Sequence, residues 1–180
     1  MGFVPDRQWK FERFNNKWRL GDTLNLSIGQ GYLLSTPLQL TRMMAAIASH
    51  GKLFTPNIAK QQAEFTQLDI DAEHLDILKA ALYKVMNEPG GTGYSSRINV
   101  NGTRMAGKTG TAQVQAKKNA ADNLSRADIA WHRRNHAIFA GYAPFNNPKY
   151  VISVYYDHGG GGGREAAPIG KQIMEMALRG

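Results

Sequence analysis

The stretch "AGKTGTAQV", residues 106 to 114, sets a lysine among glycines and threonines, a combination suited to two kinds of chemistry. Gly102, Gly107, Lys108 and Thr109 satisfy the full phosphate-loop pattern, so Gly102–Thr109 could cradle a nucleotide phosphate. The same lysine opens Lys108-Thr109-Gly110-Thr111, which suits one wall of a cleft in which a serine enzyme transfers an acyl group. On an extended strand side chains alternate, so Lys108 faces away from Thr109 and Thr111, while Gly110 leaves the surface bare for a close-lying substrate chain. The lysine then supplies positive field, the threonine hydroxyls can bind a terminal carboxylate, and a backbone N–H can face the developing oxyanion. This chemistry requires no metal and no cofactor.

The two chemistries demand different surroundings. A phosphate loop works because a strand feeds a glycine-rich turn that opens a helix, bringing backbone N–H groups and the positive helix end onto phosphate oxygens. Here "GTAQVQ" continues as extended chain, "SSRINVNG" offers a short strand at best, and Asp157 at the end of "VISVYYD" is an ambiguous magnesium ligand. Nucleotide binding is therefore the lesser alternative. The acyl-transfer reading has its own gap, the nucleophile. Ser49-His50-Gly51-Lys52 is the one Ser-x-x-Lys match, and it falls at an expected helix end where Gly51 interrupts the turn. Ser49 and Lys52 read as a cap and a solvent-facing residue.

The elements that must position the lysine follow from periodicity. Residues 1 to 24 mix aromatics with charge without a sustained period and read as an irregular segment, with Trp9, Phe11, Phe14 and Trp18 packing onto something. Thr36 caps a helix begun by Pro37, Gln39 closes a capping box, Leu40, Met43, Met44 and Ile47 form its apolar stripe, and Gly51 stops it. "KLFTPNI" reads as a short strand. A second helix is expected over about residues 72 to 87, from Leu75, Leu78, Leu82, Val85 and Met86 up to Pro89-Gly90. "RMAGKTGTAQVQ", "HAIFAGYAP" and "KYVISVYYDH" are strand candidates, and "FNNPK" suits an antiparallel hairpin between the last two. "APIGKQIMEMAL" is expected to be a helix presenting Ile169, Ile173, Met176 and Ala177 on one face. Helices, then antiparallel strands, then a helix against the sheet describe an α+β fold with an antiparallel sheet packed by helices.

Composition bounds the partners. The chain has 180 residues, 42% of them hydrophobic, enough for one domain with a core. A formal net charge of +8 favours anionic partners without choosing among them. The absence of cysteine removes disulfides, thiolate metal sites and cysteine nucleophiles. No window is apolar enough to span a bilayer, so no membrane segment is expected in this chain. His132 and His136 in "HRRNH" are four apart, but the glutamate of a zinc-binding "HExxH" helix is missing, and exposed or loop-packing roles are expected. Lys117, Lys118, Arg126, Arg133 and Arg134 make the insert basic, as in a solvated loop rather than a nucleic-acid site. Gly159 to Gly163 specify flexibility more than geometry, and Gly29 and Gly31 permit close approach to a neighbouring helix.

Taken together, "GDTLNLSIGQGYLLSTPLQLTRMMAAIASHGKLFTP" (21 to 56), "AGKTGTAQV", "HAIFAGYAPFNNPKYVISV" (136 to 154) and "APIGKQIMEMAL" resemble, in order, the C-terminal part of the transpeptidase domain of class B penicillin-binding proteins, in their cell-elongation branch. The resemblance implies the penicillin-binding transpeptidase and serine beta-lactamase-like fold. It implies that residues 1–180 are the C-terminal portion of such a domain, in a DD-transpeptidase anchored at the periplasmic face of the inner membrane through a region outside this chain. Peptidoglycan stem peptides and beta-lactams would be its ligands, and the elongation machinery its partner. Carried over by position, Lys108 meets the family's Ser-x-Asn or Ser-x-Asp element, Thr109 and Thr111 help bind the carboxylate, Gly110 gives clearance, and the Thr111 N–H joins the oxyanion hole. Neither Ser-x-Asn nor Ser-x-Asp occurs here. A preceding portion of the same protein, or a complementary chain, is expected to supply the nucleophile, and this chain alone is expected to be inactive. The competing nonenzymatic reading is a structural or interaction fragment.

Overall fold

Two eight-residue helices open the chain where no period was visible, α1 (Arg7–Phe14) and α2 (Leu20–Ser27). The computed structural model describes residues 2–59, 62–114 and 129–180, and these divide into compact units Met1–Gln39 and Leu40–Gly180. Helices this short span barely two turns, too few to print a period, and are stabilised by their ends. Asp6 accepts the Trp9 N–H at 2.8 Å, and Asp22 accepts the Arg19 N–H at 2.7 Å. Asp22 also pairs at 2.5 Å with the buried ammonium of Lys10, which together with the Arg19 N–H holds its carboxyl below the usual carboxylate range. The expected packing is present for Trp9 and Phe14: Trp9 lies 4.8 Å from Phe3, 5.5 Å from Phe14 and 5.3 Å from Tyr32, ring to ring, while Trp18 donates its ring N–H to Thr23 Oγ1 at 2.9 Å. Phe11 instead stays exposed. Gly29 and Gly31 have φ of +74° and +75°, and a Cβ would meet nothing at Gly29 and only Asn25 at Gly31, so they serve the left-handed turn after α2 rather than a close approach.

Helix α3 (Pro37–Ala48) carries the expected box: Gln39 Oε1 accepts the Thr36 N–H at 2.9 Å, and the Gln39 N–H donates to Thr36 Oγ1 at 3.2 Å. Its buried residues are Met44, Ala46 and Ala48, whereas Met43 of the expected stripe is exposed. Strand β1 (Lys52–Phe54) pairs antiparallel with β2 (Phe65–Gln67), a three-residue strand too short and too exposed to show in the sequence. Helix α4 (Ala72–Asn87) has its expected extent, capped by Asp71. Of its stripe, Leu75 and Met86 are buried and Leu78 is exposed.

Strands β3 (Ala106–Ala112), β4 (His136–Ala143) and β5 (Tyr150–Tyr156) form an antiparallel sheet in the order β3-β4-β5. The β4–β5 pairing is the expected hairpin across "FNNPK". β4 reads as an almost unbroken apolar run because both of its faces are covered. Ala137, Phe139 and Ala143 join Met86 of α4 and the C-terminal helix α5 (Ala167–Arg179) in one cluster. Ala140 and Tyr142 point the other way, into a cluster with Met44 and Ala48 of α3.

α5 meets the sheet through Ala167, Gly170 and Met174, not through the larger residues expected to do so. Ile169, Ile173 and Met176 are 37%, 49% and 73% exposed. The reason is the Phe139 ring, which occupies the space over Gly107, Gly141 and Gly170. A Cβ at Gly170 would stand 2.5 Å from Phe139 Cδ1, and one at Gly107 2.9 Å from Cζ. Small residues let the helix down onto the ring and turn its larger apolar face outward.

Candidate active site

Lys108, Thr109, Gly110 and Thr111 lie mid-strand in β3, opposite Ala140, Phe139, Ile138 and Ala137 of β4. Among the described residues β3 has one neighbouring strand, so alternate backbone N–H and C=O groups face away from the sheet. Lys108 and Thr111 are exposed, and Thr109 and Gly110 are half-buried. The ammonium of Lys108 donates to the Thr109 carbonyl at 2.8 Å. The threonines share the opposite face, as alternation requires: Thr109 Oγ1 is 2.7 Å from Thr92 Oγ1, and Thr111 Oγ1 accepts the Gly162 N–H at 3.4 Å.

This geometry overturns the phosphate-loop alternative. Asn101 and Gly102 sit in a tight turn bridged by Val100 and Thr103, and the chain from Gly107 through Thr109 is strand that continues to Ala112. Lys108-Thr109 run on as strand instead of opening a helix, so among the described residues no helix end gathers N–H groups around the lysine. Gly107 is explained by the Phe139 ring instead of by a phosphate.

The strap from β5 to α5 holds β3 from the side. Its glycines were expected to confer flexibility, yet at Gly162 and Gly163 they are demanded by contact. A Cβ at Gly162 would lie 2.2 Å from the Gly110 carbonyl oxygen and 2.3 Å from that of Ile138, and one at Gly163 2.3 Å from the Thr92 carbonyl oxygen. Glycine is needed there because backbone rests on backbone. The close approach rests on Gly162 and Gly163 themselves, since a Cβ at Gly110 would meet only the Ile138 side chain, at 3.4 Å. At the other end of β3, Asn87 of α4 donates to the Met105 carbonyl at 2.8 Å and ties the helix to the residue before the strand.

The remaining sites fall as follows. Ser49 Oγ donates to the Ala45 carbonyl at 2.7 Å, and Lys52 Nζ stands 5.0 Å from the centre of the Phe65 ring, so the two form no nucleophile and base. His132 lies in a short 3-10 turn (Trp131–Arg133) and His136 begins β4, so they share no helical face. His136 instead meets Asp157, 2.8 Å from its Nδ1, and His158. Arg134 donates to the Ile129 carbonyl at 2.9 Å. Lys117, Lys118 and Arg126 lie outside the described residues. Clefts of about 700 Å³, lined by Asn87, Arg97, Arg104 and Glu175 among others, and about 550 Å³, around Phe145 and Arg104, include no residue of β3. Thr92 and Gly162 escaped the sequence reading. The run "GGGGG" was the visible signal of the second; nothing local marked the first.

A family model for the penicillin binding protein transpeptidase domain matches residues 4–175. Peptidoglycan D,D-transpeptidase MrdA of Haemophilus influenzae is 34% identical over 187 residues, which take in 97% of this chain and 28% of that protein. Its namesake in Escherichia coli K12 is 29% identical over 191 residues, 99% of this chain and 30% of the relative. Among solved structures, Helicobacter pylori PBP2 in complex with MreC matches 99% of this chain and 30% of its own at 36% identity, with a TM-score of 0.78. Pseudomonas aeruginosa PBP2 in complex with WCK 5153 matches 98% of this chain and 38% of its own at 31% identity, with a TM-score of 0.72. The chain therefore spans less than a third of the length of these curated relatives.

Proposed function

The chain belongs to the penicillin-binding protein transpeptidase domain family, and from that premise we propose that residues 1–180 are the C-terminal portion of a serine DD-transpeptidase domain, supplying the Lys108–Thr111 wall of its acyl-transfer site. The observation that carries this reading is the placement of Lys108 and Thr111, both exposed, on a strand that has one neighbouring strand among the described residues, so that alternate backbone groups face away from the sheet. In the reaction a serine hydroxyl from outside this chain attacks the penultimate carbonyl of a peptidoglycan stem peptide. The ester bond forms as the terminal amide breaks, and the terminal amino acid leaves with the serine proton. An amine of a second stem peptide then attacks the ester, forming the crosslink and returning the serine. The wall acts on charge. Thr109 and Thr111 receive the terminal carboxylate, Lys108 adds positive field and meets the family's Ser-x-Asn or Ser-x-Asp element, and the Thr111 N–H stabilises the oxyanion. Beta-lactams acylate the same serine.

Among the described residues no helix is long and apolar enough to cross a membrane. We place the domain at the periplasmic face of the inner membrane, anchored elsewhere in the protein, with a partner of the elongation machinery such as the MreC bound by the H. pylori protein. The test is labelling with a fluorescent penicillin. The full-length protein should form a stoichiometric adduct, and residues 1–180 alone should form none. A stable adduct on the isolated chain, or none on the full-length protein, would overturn the reading.

A further inference from the structure

At the end of β4 where the glycine strap begins, His136, Asp157 and His158 converge, and acyl transfer uses none of them. One ring nitrogen from each histidine and one carboxylate oxygen lie within 4.8 Å of one another. His136 Nδ1 is 2.8 Å and His158 Nε2 is 3.8 Å from Asp157 Oδ1. Ligand atoms around a tetrahedral zinc with bonds of about 2.0–2.1 Å stand roughly 3.3 Å apart. The two separations fall on either side of that value, so small side-chain rotations would seat an ion.

The surrounding hydrogen bonds already orient the donors. His158 Nδ1 is 2.8 Å from the Arg134 carbonyl oxygen, which can only accept, so Nδ1 carries the proton and Nε2 keeps its lone pair on the Asp157 side. The His158 backbone N–H stands 3.1 Å from His136 Nδ1, the same nitrogen that lies 2.8 Å from Asp157 Oδ1, so a backbone donor and a carboxylate converge on one ring nitrogen. Asp157 Oδ1 accepts the Tyr155 hydroxyl at 3.0 Å. A histidine whose other nitrogen donates to a carbonyl, and a carboxylate steadied by a hydroxyl, are the outer contacts that orient metal ligands. The His158 Nε2 lone pair and the Asp157 carboxylate repel each other across 3.8 Å, and a divalent cation among the three groups, taking the place of a proton on His136 Nδ1, turns that repulsion into attraction.

We propose that His136, Asp157 and His158 form a binding site for a divalent transition-metal ion, zinc by its two-imidazole, one-carboxylate donor set, with a fourth position open to water or another oxygen ligand. The site ties the strap to the end of β4, whose His136 and Ala137 pair with Ala112 and Thr111. Gly160 N–H donates to the Asn135 carbonyl at 2.8 Å, so an ion would fasten a strap that already touches β4's approach and, through Gly162, Thr111. The proposal rests on these side chains alone and not on the acyl-transfer reading.

The test uses the untagged full-length protein, stripped with a chelator and titrated with zinc chloride by calorimetry. It should bind one ion per chain, and cobalt should give the visible bands of a tetrahedral site. Asp157→Asn, a nearly isosteric change at an exposed position, and His158→Gln should each weaken binding by at least the roughly 10–100-fold that losing an outer contact costs, and Tyr155→Phe by about tenfold. Zinc should also slow hydrogen exchange at Gly160 and Gly162 in the unaltered protein. Failure of that protein to bind zinc would overturn the site and leave a His136–Asp157 ion pair in its place. Binding that persists in both Asp157→Asn and His158→Gln would assign the ion to other groups and overturn it equally.

Discussion

Lys108 bonds to the carbonyl of its own neighbour and stands exposed, so its removal should leave the fold intact while changing the field of the wall. In the full-length protein, Lys108→Ala is expected to slow penicillin acylation by about 10²–10³-fold, the range for losing one preorganised electrostatic group, with no shift in melting temperature. Equal acylation rates would remove Lys108 from the site. Tyr142 makes the opposite case. Its ring is fully buried, its hydroxyl has no hydrogen-bond partner among the described residues, and burial pushes its pKa up to about 12. The sign follows from linkage: the raised folded pKa means that stability is whole below the unfolded value of 10.0 and falls as pH rises from there to about 12. Tyr142→Phe should stabilise the protein by about 1 kcal/mol at neutral pH and flatten that alkaline loss, as thermal melts across the range would read.

Between elements, the contact of α5 with the sheet is set by one aromatic ring among three glycines. Gly170→Ala should cost about 1–3 kcal/mol by overpacking and Phe139→Ala about 3–5 kcal/mol by leaving a cavity. The double variant Gly170→Ala with Phe139→Leu should recover part of the first loss, because the added methyl gains room; strictly additive denaturation midpoints would refute the shared contact. The pair of short helices has its own lock in Lys10–Asp22. With the Asp22 pKa depressed, this contribution is full above the unfolded value of 3.8 and is lost as pH falls through the folded value. Asp22→Asn should therefore lower stability at neutral pH and shrink the difference from the parent on acidification. A difference that persists in acid would mean that packing, not charge, sustains the contact.

For the whole molecule, the three-stranded sheet among the described residues has β3 at one edge and β5 at the other, and α5 turns Ile169, Ile173 and Met176 outward. Free strand edges and uncovered apolar side chains favour association. Residues 1–180 expressed alone should self-associate or capture a complementary segment of the same protein in sedimentation. A monodisperse 19.9 kDa species at high concentration would count against the open-edge argument.

The sequence by itself determined the elements that repeat a local period or close with local chemistry. These are the Thr36–Gln39 box, the extent of α4 up to Pro89-Gly90, the hairpin across "FNNPK", and a lysine on an extended strand, since hydrogen bonds and side chains a few residues apart suffice for them. Tertiary structure alone decided which face of α5 goes inward, why Gly162 must be glycine, and that His136 joins Asp157 and His158 instead of His132. The deciding contacts link residues 22 and 51 positions apart, where chain geometry, not local pattern, chooses the neighbour.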